Sequence, residues 1–464
     1  MDEHVTDTEL SRRRWLQMAG GGFGSLALGA LAARADVPGR PAQFDPKLKQ
    51  NHAPRAKRVI FLFMDGGPSQ LDSFDYKPDL MANHGKKSKG KGMLRSPFEF
   101  KPHGESGLYI SSAFPEVAKL ADELCLLNAM ETESSSHPSA SQAFFTGNSR
   151  LEVPALGAWS LYGLGDDGRV LPGFVSVNYH GSAKNYGHGF LPARYQGVQL
   201  EIGSKRRKFF REKKSPGAPN IASRHYSDAG QRRQMEFVQR MNRKFANDLG
   251  GNDQVEAVIE SLENGFDMRA TLRELLSPET EPEEVRQLYG LDRPETEEFA
   301  RQCIIARRMV EEGVRFIQLN HSGAPRNWDD HSNLKSNFKR NATSIDQPIA
   351  GLLIDLKRRG LLDETLVVWG GEFGRTPSGG TGRDHQNRGF TTWLAGGGVR
   401  GGMRYGATDE IGAKIAEGGV QMQDLHATIL HQLGFDPEVL RFSRGGRERY
   451  SEARQGRVVR EILA

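Results

Sequence analysis

Cysteine, charge of one sign and long apolar runs are all scarce in this chain of 464 residues. The two cysteines, Cys125 and Cys303, are too few for a disulfide framework and too far apart for a zinc knuckle. The formal net charge is only +5, from 63 Lys and Arg against 58 Asp and Glu, so it does not argue for nucleic-acid binding. With 37% hydrophobic and 26% charged residues, the composition excludes disorder, collagen or coiled coil as a description of the whole chain.

The first 35 residues have the pattern of an export signal. Paired arginines lie in Ser11-Arg12-Arg13-Arg14-Trp15-Leu16-Gln17, ahead of a Gly-rich, weakly apolar stretch over 18–33 that is too short to span a membrane. Ala33-Arg34-Ala35 is typical of a cleavage site. We expect a twin-arginine signal over 1–35, recognised by the twin-arginine translocase, and a periplasmic or secreted protein; an uncleaved anchor is the alternative. Residues 36–56 are expected to form a linker, and 57–464 the folded domain.

Four continuous apolar runs predict strands that are buried on both faces, over 58–64, 124–127, 314–319 and 365–370. Helical patterns over 297–313 and 344–360 precede the last two runs. This alternation predicts an α/β sheet with helices on both faces. The highly charged segment 203–294 predicts a mainly helical insertion, and the glycine-rich segment 376–402 predicts a loop region near a site.

Polar residues follow the predicted strands, at the edge where ligands collect in parallel α/β sheets. Asp65 follows the first strand, and a carboxylate there is either a helix cap or a metal ligand. Asp329 and His331 share one loop after the third strand, at a spacing that lets both face one cation. Glu372 follows the fourth strand between glycines, and His385 lies in the glycine-rich loop. The sequence therefore indicates a cluster of carboxylates and imidazoles.

Four stretches resemble the domain of unknown function 1501 family, exported bacterial sulfatase-like proteins of the alkaline phosphatase superfamily. They are Phe63-Met64-Asp65-Gly66-Gly67-Pro68-Ser69, Trp328-Asp329-Asp330-His331, Gly371-Glu372-Phe373-Gly374-Arg375-Thr376 and Asp424-Leu425-His426-Ala427-Thr428-Ile429-Leu430. The resemblance implies an alkaline-phosphatase-like fold, with a mixed, largely parallel sheet sandwiched by helices. It also implies a metal-dependent hydrolase of phosphate or sulfate esters, with an anionic ester such as a sulfated or phosphorylated glycan as substrate.

The same resemblance implies a site for two divalent cations, which could be zinc, calcium or manganese. Asp65 matches a ligand of the metal beside the nucleophile, and Glu372 matches the acidic ligand at the later strand end. Asp329, His331 and His385 match the ligands of the other metal. Two cations held in this way can clamp the attacking and leaving oxygens.

The nucleophile of the superfamily has no direct match. Sulfatases carry Cys-x-Pro-Ser-Arg-x-x-Leu-Leu-Thr-Gly, and counting back from Thr146-Gly147 places His137 at the nucleophile position. The superfamily commonly has Asp-His where this chain has Glu372-Phe373, so one imidazole ligand is missing. His137 is expected to be a metal ligand that replaces this imidazole, a nucleophile that forms a phosphohistidine, or a helix cap. Ser139 and Ser141 are the alternative nucleophiles.

Arg375 is the expected anion-binding group, because a guanidinium can hold an oxyanion through two nitrogens. A structural ion pair is the alternative for this residue. Two other functions remain open on the same residues: a non-catalytic binding or scaffold protein for an anionic glycan, and a metal-dependent phosphotransferase. The basic run over 205–214 predicts a solvated face, and no nucleic-acid partner is expected.

Overall fold

A computed structural model describes residues 50–88, 91–165, 171–179, 181–202, 274–322, 327–444 and 446–464, together with positions 230, 233, 236, 237 and 240. The expected export signal lies outside the described residues, as do 36–49 of the expected linker. Most of the expected insertion, from 203 to 273, also lies outside them apart from the five single positions. The boundaries proposed for these segments therefore stay predictions.

The strands of the described residues form one large sheet and several two-stranded hairpins or bridges. In chain order they are β1 (Arg58–Met64), β2 (Lys87–Ser88), β3 (Lys91–Gly92), β4 (Phe100–His103), β5 (Leu108–Ser111), β6 (Cys125–Glu131), β7 (Phe174–Val177), β8 (Val198–Leu200), β9 (Phe316–His321), β10 (Thr365–Gly370), β11 (Gly374–Arg375), β12 (His385–Gln386), β13 (Arg388–Ala395), β14 (Met403–Tyr405), β15 (Ala407–Thr408), β16 (Ile415–Glu417), β17 (Val420–Gln421), β18 (Arg441–Arg444) and β19 (Arg447–Tyr450).

The large sheet has the order β14-β6-β13-β10-β1-β9-β7-β8, and β17 also pairs with β6. Strand β13 is antiparallel to both of its neighbours, whereas the other pairings are parallel. The expected fold class, a mixed and largely parallel sheet between helices, is confirmed. Strand β13 corrects the prediction of a loop region over 376–402, because its residues after Arg388 are buried and it pairs with β10 and β6 despite the surrounding glycines.

The helices of the described residues are α1 (Pro78–Ala82), α2 (Pro115–Ala118), α3 (His137–Thr146), α4 (Leu156–Leu164), α5 (Glu283–Tyr289), α6 (Glu297–Glu311), α7 (Leu334–Arg358) and α8 (Met422–Gln432). Helix α7 begins ten residues before the predicted start at 344 and contains Pro348. Leu334, Phe338 and Ala342 are buried at the spacing of a helix, so its apolar face extends N-terminal of the predicted start. Among the described residues, no helix combines the length and apolar character needed to cross a membrane.

The core lies on both faces of the sheet because alternate residues of β1 point to opposite sides. Ile60, Leu62 and Met64 pack in a cluster that includes residues of α2, α6 and α7. Val59, Phe61 and Phe63 pack in a second cluster that includes residues of α3, α4 and α8. Burial on both faces explains why β1 reads as a continuous apolar run instead of an alternating one.

Candidate metal centre

The candidate site lies at the carboxyl ends of three adjacent parallel strands. β1 pairs with β10 on one side and β9 on the other, so these ends lie at one edge of the sheet. Asp65 follows β1, and Glu372 follows β10 by two residues. The loop after β9 is tied to β1, because the backbone N–H of Trp328 donates to the carbonyl of Asp65 at 2.9 Å. The topology thus brings together residues that are about 300 positions apart in the sequence.

Three imidazoles converge on one carboxylate oxygen. The Oδ1 atom of Asp329 lies 3.0 Å from Nε2 of His331, 3.0 Å from Nε2 of His385 and 3.3 Å from Nε2 of His137. Ligand atoms of His137, Asp329 and His385 all lie within 4.8 Å of one another. Bonds of about 2.0–2.2 Å to a tetrahedral ion require comparable separations between ligand atoms. These three residues could therefore hold one metal ion.

In each of the three imidazole rings, the other nitrogen, Nδ1, lies within hydrogen-bond distance of an oxygen acceptor. Nδ1 of His137 lies 2.6 Å from Oε1 of Glu372, and Nδ1 of His385 lies 2.8 Å from the carbonyl of Ser135. Nδ1 of His331 lies 3.2 Å from Oδ1 of Asp384. An imidazole that donates from Nδ1 presents the Nε2 lone pair, which is the form that binds a metal.

Glu372 lies behind this cluster instead of within it. Its side chain is fully buried, and it accepts the backbone N–H groups of Gly66 at 3.0 Å and Gly67 at 3.2 Å in addition to the imidazole of His137. Both glycines have positive φ, and a Cβ on Gly66 would lie only 2.7 Å from the backbone nitrogen of Asp329. The contact with Nδ1 of His137 lets Glu372 orient this imidazole. Its expected role as a direct metal ligand stays a prediction.

The protonation of the cluster follows from its charges. Although burial opposes the change, hydrogen bonds to the carboxylates of Asp329 and Glu372 raise the pKa of His137 to about 9. Burial would raise the pKa of Asp329. Hydrogen bonds from His137 and Arg375 outweigh this effect and hold the pKa of Asp329 well below its usual range. The cluster therefore carries enough negative charge to retain a proton or a cation at neutral pH.

Asp65 is close to the cluster but is not one of its three ligands. Burial raises the pKa of its carboxyl to about 6, and the negative charge of Glu372 adds to that shift. The backbone of Asp65 also donates to the carbonyl of His321 at 3.1 Å. Its expected role at a second metal ion stays a prediction.

Arg375 is fully buried, and its guanidinium is used inside the protein. It donates to the carbonyls of Gly66, Gly67 and Arg383, and to Oδ1 of Asp329 at 2.7 Å. These contacts favour the structural alternative for Arg375, and its expected role as an anion-binding group stays a prediction. Its ion-pair partner is the carboxylate of Asp329.

His137 is the first residue of α3, directly before Pro138. Ser139 lies half-buried in the first turn of this helix, whereas Ser141 is buried. The N-cap residue Ser136 makes no side-chain cap hydrogen bond, so it leaves the first-turn N–H groups to other acceptors. Ser136 and not His137 therefore occupies the cap position of this helix.

Three contacts at the site were not identified from the sequence. The carbonyl of Ser135 carries no sequence signal, because any residue could supply it. Asp384 does carry one, since it directly precedes His385. The ring of Phe373 packs against His137 and His385, with centroid distances of 4.7 and 4.5 Å. Phe373 thus contributes an apolar wall where the superfamily pattern has an imidazole.

The model of the family described as "Protein of unknown function (DUF1501)" matches residues 56–463. The chain belongs to this family. All residues of the candidate metal centre lie within the matched part of the DUF1501 chain. No curated protein matches its sequence significantly.

Solved structures resemble this DUF1501 chain at low identity. Ps i-CgsB in complex with k-i-k-neocarrahexaose has 10% identity and a TM-score of 0.38, with 82% of this chain and 72% of that chain covered. The PsFucS1 sulfatase from Pseudoalteromonas sp. has 13% identity and a TM-score of 0.36, covering 82% and 68%. The phosphonate monoester hydrolase SpPMH from Silicibacter pomeroyi has 13% identity and a TM-score of 0.36, covering 88% and 76%. At these TM-scores the likeness carries no argument about activity.

Proposed function

We propose that this protein is an exported, metal-dependent hydrolase of phosphate or sulfate esters. The observation that carries the proposal is the convergence of the Nε2 atoms of His137, His331 and His385 on Oδ1 of Asp329. An arrangement that served only to stabilise the fold would be expected to alternate donors and acceptors. Here three imidazole nitrogens and a carboxylate oxygen face one point. A divalent cation would be bound there by displacing the proton that His137 otherwise holds.

The donor set also limits the kind of cation. Three imidazole nitrogens and one carboxylate oxygen suit zinc or another first-row transition ion, whereas calcium and magnesium prefer oxygen ligands. His137, Asp329, His331 and His385 would hold the ion. When bound, it would act as a Lewis acid toward an ester oxygen. Because Glu372 is occupied by backbone donors, the described residues support one cation better than the two expected from the sequence.

The protein's own groups would position the ester and handle its protons. The free N–H groups in the first turn of α3 favour an anion beside His137. Ser139 in the same turn is the candidate nucleophile. Asp65, whose pKa is raised to about 6 by burial, can hold or release a proton near neutral pH. Arg375 would position Asp329 and the Gly66-Gly67 turn instead of touching the substrate.

The export of the protein rests on the signal predicted over 1–35. The twin-arginine translocase carries folded proteins, which would allow the metal to be bound before export. Replacing Arg12 and Arg13 together by lysine should retain the protein in the cytoplasm. Fractionation of cells that express the variant and the original chain tests this step.

A metal-binding protein that holds an anionic glycan without turnover is the second candidate. The observation in its favour is that His137, and not Ser or Cys, occupies the position of the nucleophile, where Glu372 fixes it. The test is to purify the natively exported chain, measure bound metal, and assay aryl phosphates and aryl sulfates, with His385→Ala as the inactive control. Metal-dependent turnover lost in the control supports the hydrolase. Bound metal without turnover favours the binding protein.

A further inference from the structure

An open cavity of about 690 Å³ is lined partly by residues that neighbour those of the metal centre in the chain. Two of its lining residues adjoin the loops that carry the imidazoles, since Asn333 follows His331 by two residues and Thr381 precedes His385 by four. The Cα atoms of His331 and Asn333 can be at most about 7 Å apart. A ligand with one group at the metal centre could therefore place a neighbouring group in this cavity.

The wall between the two sites is held by backbone hydrogen bonds. The N–H of Leu334 donates to the carbonyl of Thr381 at 2.9 Å, and the N–H of Arg383 donates to the carbonyl of Asp330 at 2.9 Å. These bonds join the loop before α7 to the loop before β12. The loops that carry His331 and His385 are thus joined to each other next to the cavity residues Leu334 and Thr381.

The cavity is lined by two lysines and by two buried apolar residues, Phe98 and Leu334, which we call its apolar floor. Lys335 and Lys339 lie one helical turn apart on α7, both exposed, and neither is in an ion pair with a described carboxylate. Like charges at this spacing repel each other, and an anion between them would relieve the repulsion. The exposed Ser112 lines the cavity as well.

We propose that this cavity is a second anion subsite, which binds a further sulfate or phosphate group on the sugar ring next to the ester at the metal centre. The apolar floor would contact the ring, and the two lysines would contact its anionic substituent. The inference rests on the proposed function, and it deepens that function by naming the substrate class as an ester that carries at least two anionic groups.

The test compares ligands with one and two anionic groups. Binding of a monosulfated and a disulfated disaccharide to the full chain is measured by calorimetry, and a sugar monophosphate and bisphosphate form a second arm that distinguishes sulfate from phosphate. In Lys335→Gln/Lys339→Gln, affinity for the doubly charged ligand should fall about 10- to 100-fold. Affinity for the singly charged ligand should stay unchanged. The variant Lys335→Glu/Lys339→Glu should lose more.

The matched control is Lys57→Gln/Lys357→Gln, which removes the same charge. Lys57 precedes β1, and Lys357 lies about 33 Å along α7 from Lys335. Equal losses in the control, or equal losses for both ligands, would overturn the subsite. If no ester is turned over but the lysine variant still loses affinity for the doubly charged ligand alone, the subsite is supported and the proposed hydrolase activity is contradicted. If esters are turned over and the lysine variant binds normally, only the subsite fails.

Discussion

The Nε2 atoms of His331 and His385 lie 3.0 Å apart, beside the same oxygen of Asp329. Both rings have Nδ1 on an oxygen that can only accept, namely a carboxylate oxygen of Asp384 and the carbonyl of Ser135. Two neutral rings in this state would present lone pairs to each other. A positive charge between them, either a proton or a metal ion, is required to make this contact favourable.

The first prediction concerns the metal ligands. Replacing His331 or His385 by alanine should weaken zinc binding by more than about 100-fold. Loss of a residue that only orients a ligand weakens metal binding by about 10- to 100-fold. The measurement is the metal content of the natively purified chain, followed by titration against a chelator. His188→Ala is the control, because that ring instead contacts the carbonyl of Leu191 at 2.6 Å. Normal metal content in both cluster variants would contradict the site.

The second prediction concerns Glu372, which should act through His137. In Glu372→Gln the amide cannot both accept from the Gly66 and Gly67 N–H groups and hold the imidazole as a carboxylate does. Zinc affinity should fall about 10- to 100-fold, less than on loss of a ligand. Chelator competition measures this, with Glu364→Gln as the control at the opposite edge of the sheet. A loss as large as that of His385→Ala would instead make Glu372 a direct ligand.

The strands that the sequence predicts best are those whose apolar runs stop abruptly. β1 and β10 have the predicted bounds because each run ends at glycines and a carboxylate. β6 continues four residues beyond its predicted end, because the buried Asn128 donates to the carbonyl of Phe74 at 3.1 Å. A polar residue satisfied by a distant partner cannot be distinguished from a strand end in the sequence.

The site was predictable as a set of residue types but not as a division of roles. Asp329, His331 and His385 share the cluster expected for them, and His137 joins them from α3. The sequence could not separate these from Glu372, because its role depends on two backbone N–H groups and a buried position. The spacing of residues shows which of them lie at a sheet edge, but tertiary contacts decide which atoms remain free.

The third prediction concerns Arg375, whose role should be structural. In Arg375→Lys a single ammonium cannot reach the carbonyls of Gly66, Gly67 and Arg383 together. The free energy of unfolding should fall by about 2–4 kcal/mol, since charged hydrogen bonds to buried acceptors are lost. Urea denaturation of the metal-free chain measures this loss. The exposed Arg388→Lys serves as the control. Unchanged stability with weakened binding of phosphate or sulfate would instead restore the anion-binding role.

The last prediction concerns pH and the buried His426, outside the metal centre. Its Nε2–H donates to the carbonyl of Phe144 at 2.9 Å, and burial lowers its pKa to about 4 from the ordinary 6.5. Between these values the unfolded chain binds a proton that the folded chain does not, so stability falls as the pH drops from about 6.5 to 4. The total loss from this group should be about 3 kcal/mol.

His426→Gln keeps a neutral donor but cannot titrate. Near pH 5, the slope of the unfolding free energy against pH should therefore be smaller by about 1 kcal/mol per pH unit in this variant. Urea denaturation of the metal-free chain between pH 5 and 8 measures both slopes. The exposed His84→Gln is the control and should leave the slope unchanged. An equal slope in His426→Gln and the original chain would show that the imidazole is protonated in the folded protein, against the burial argument.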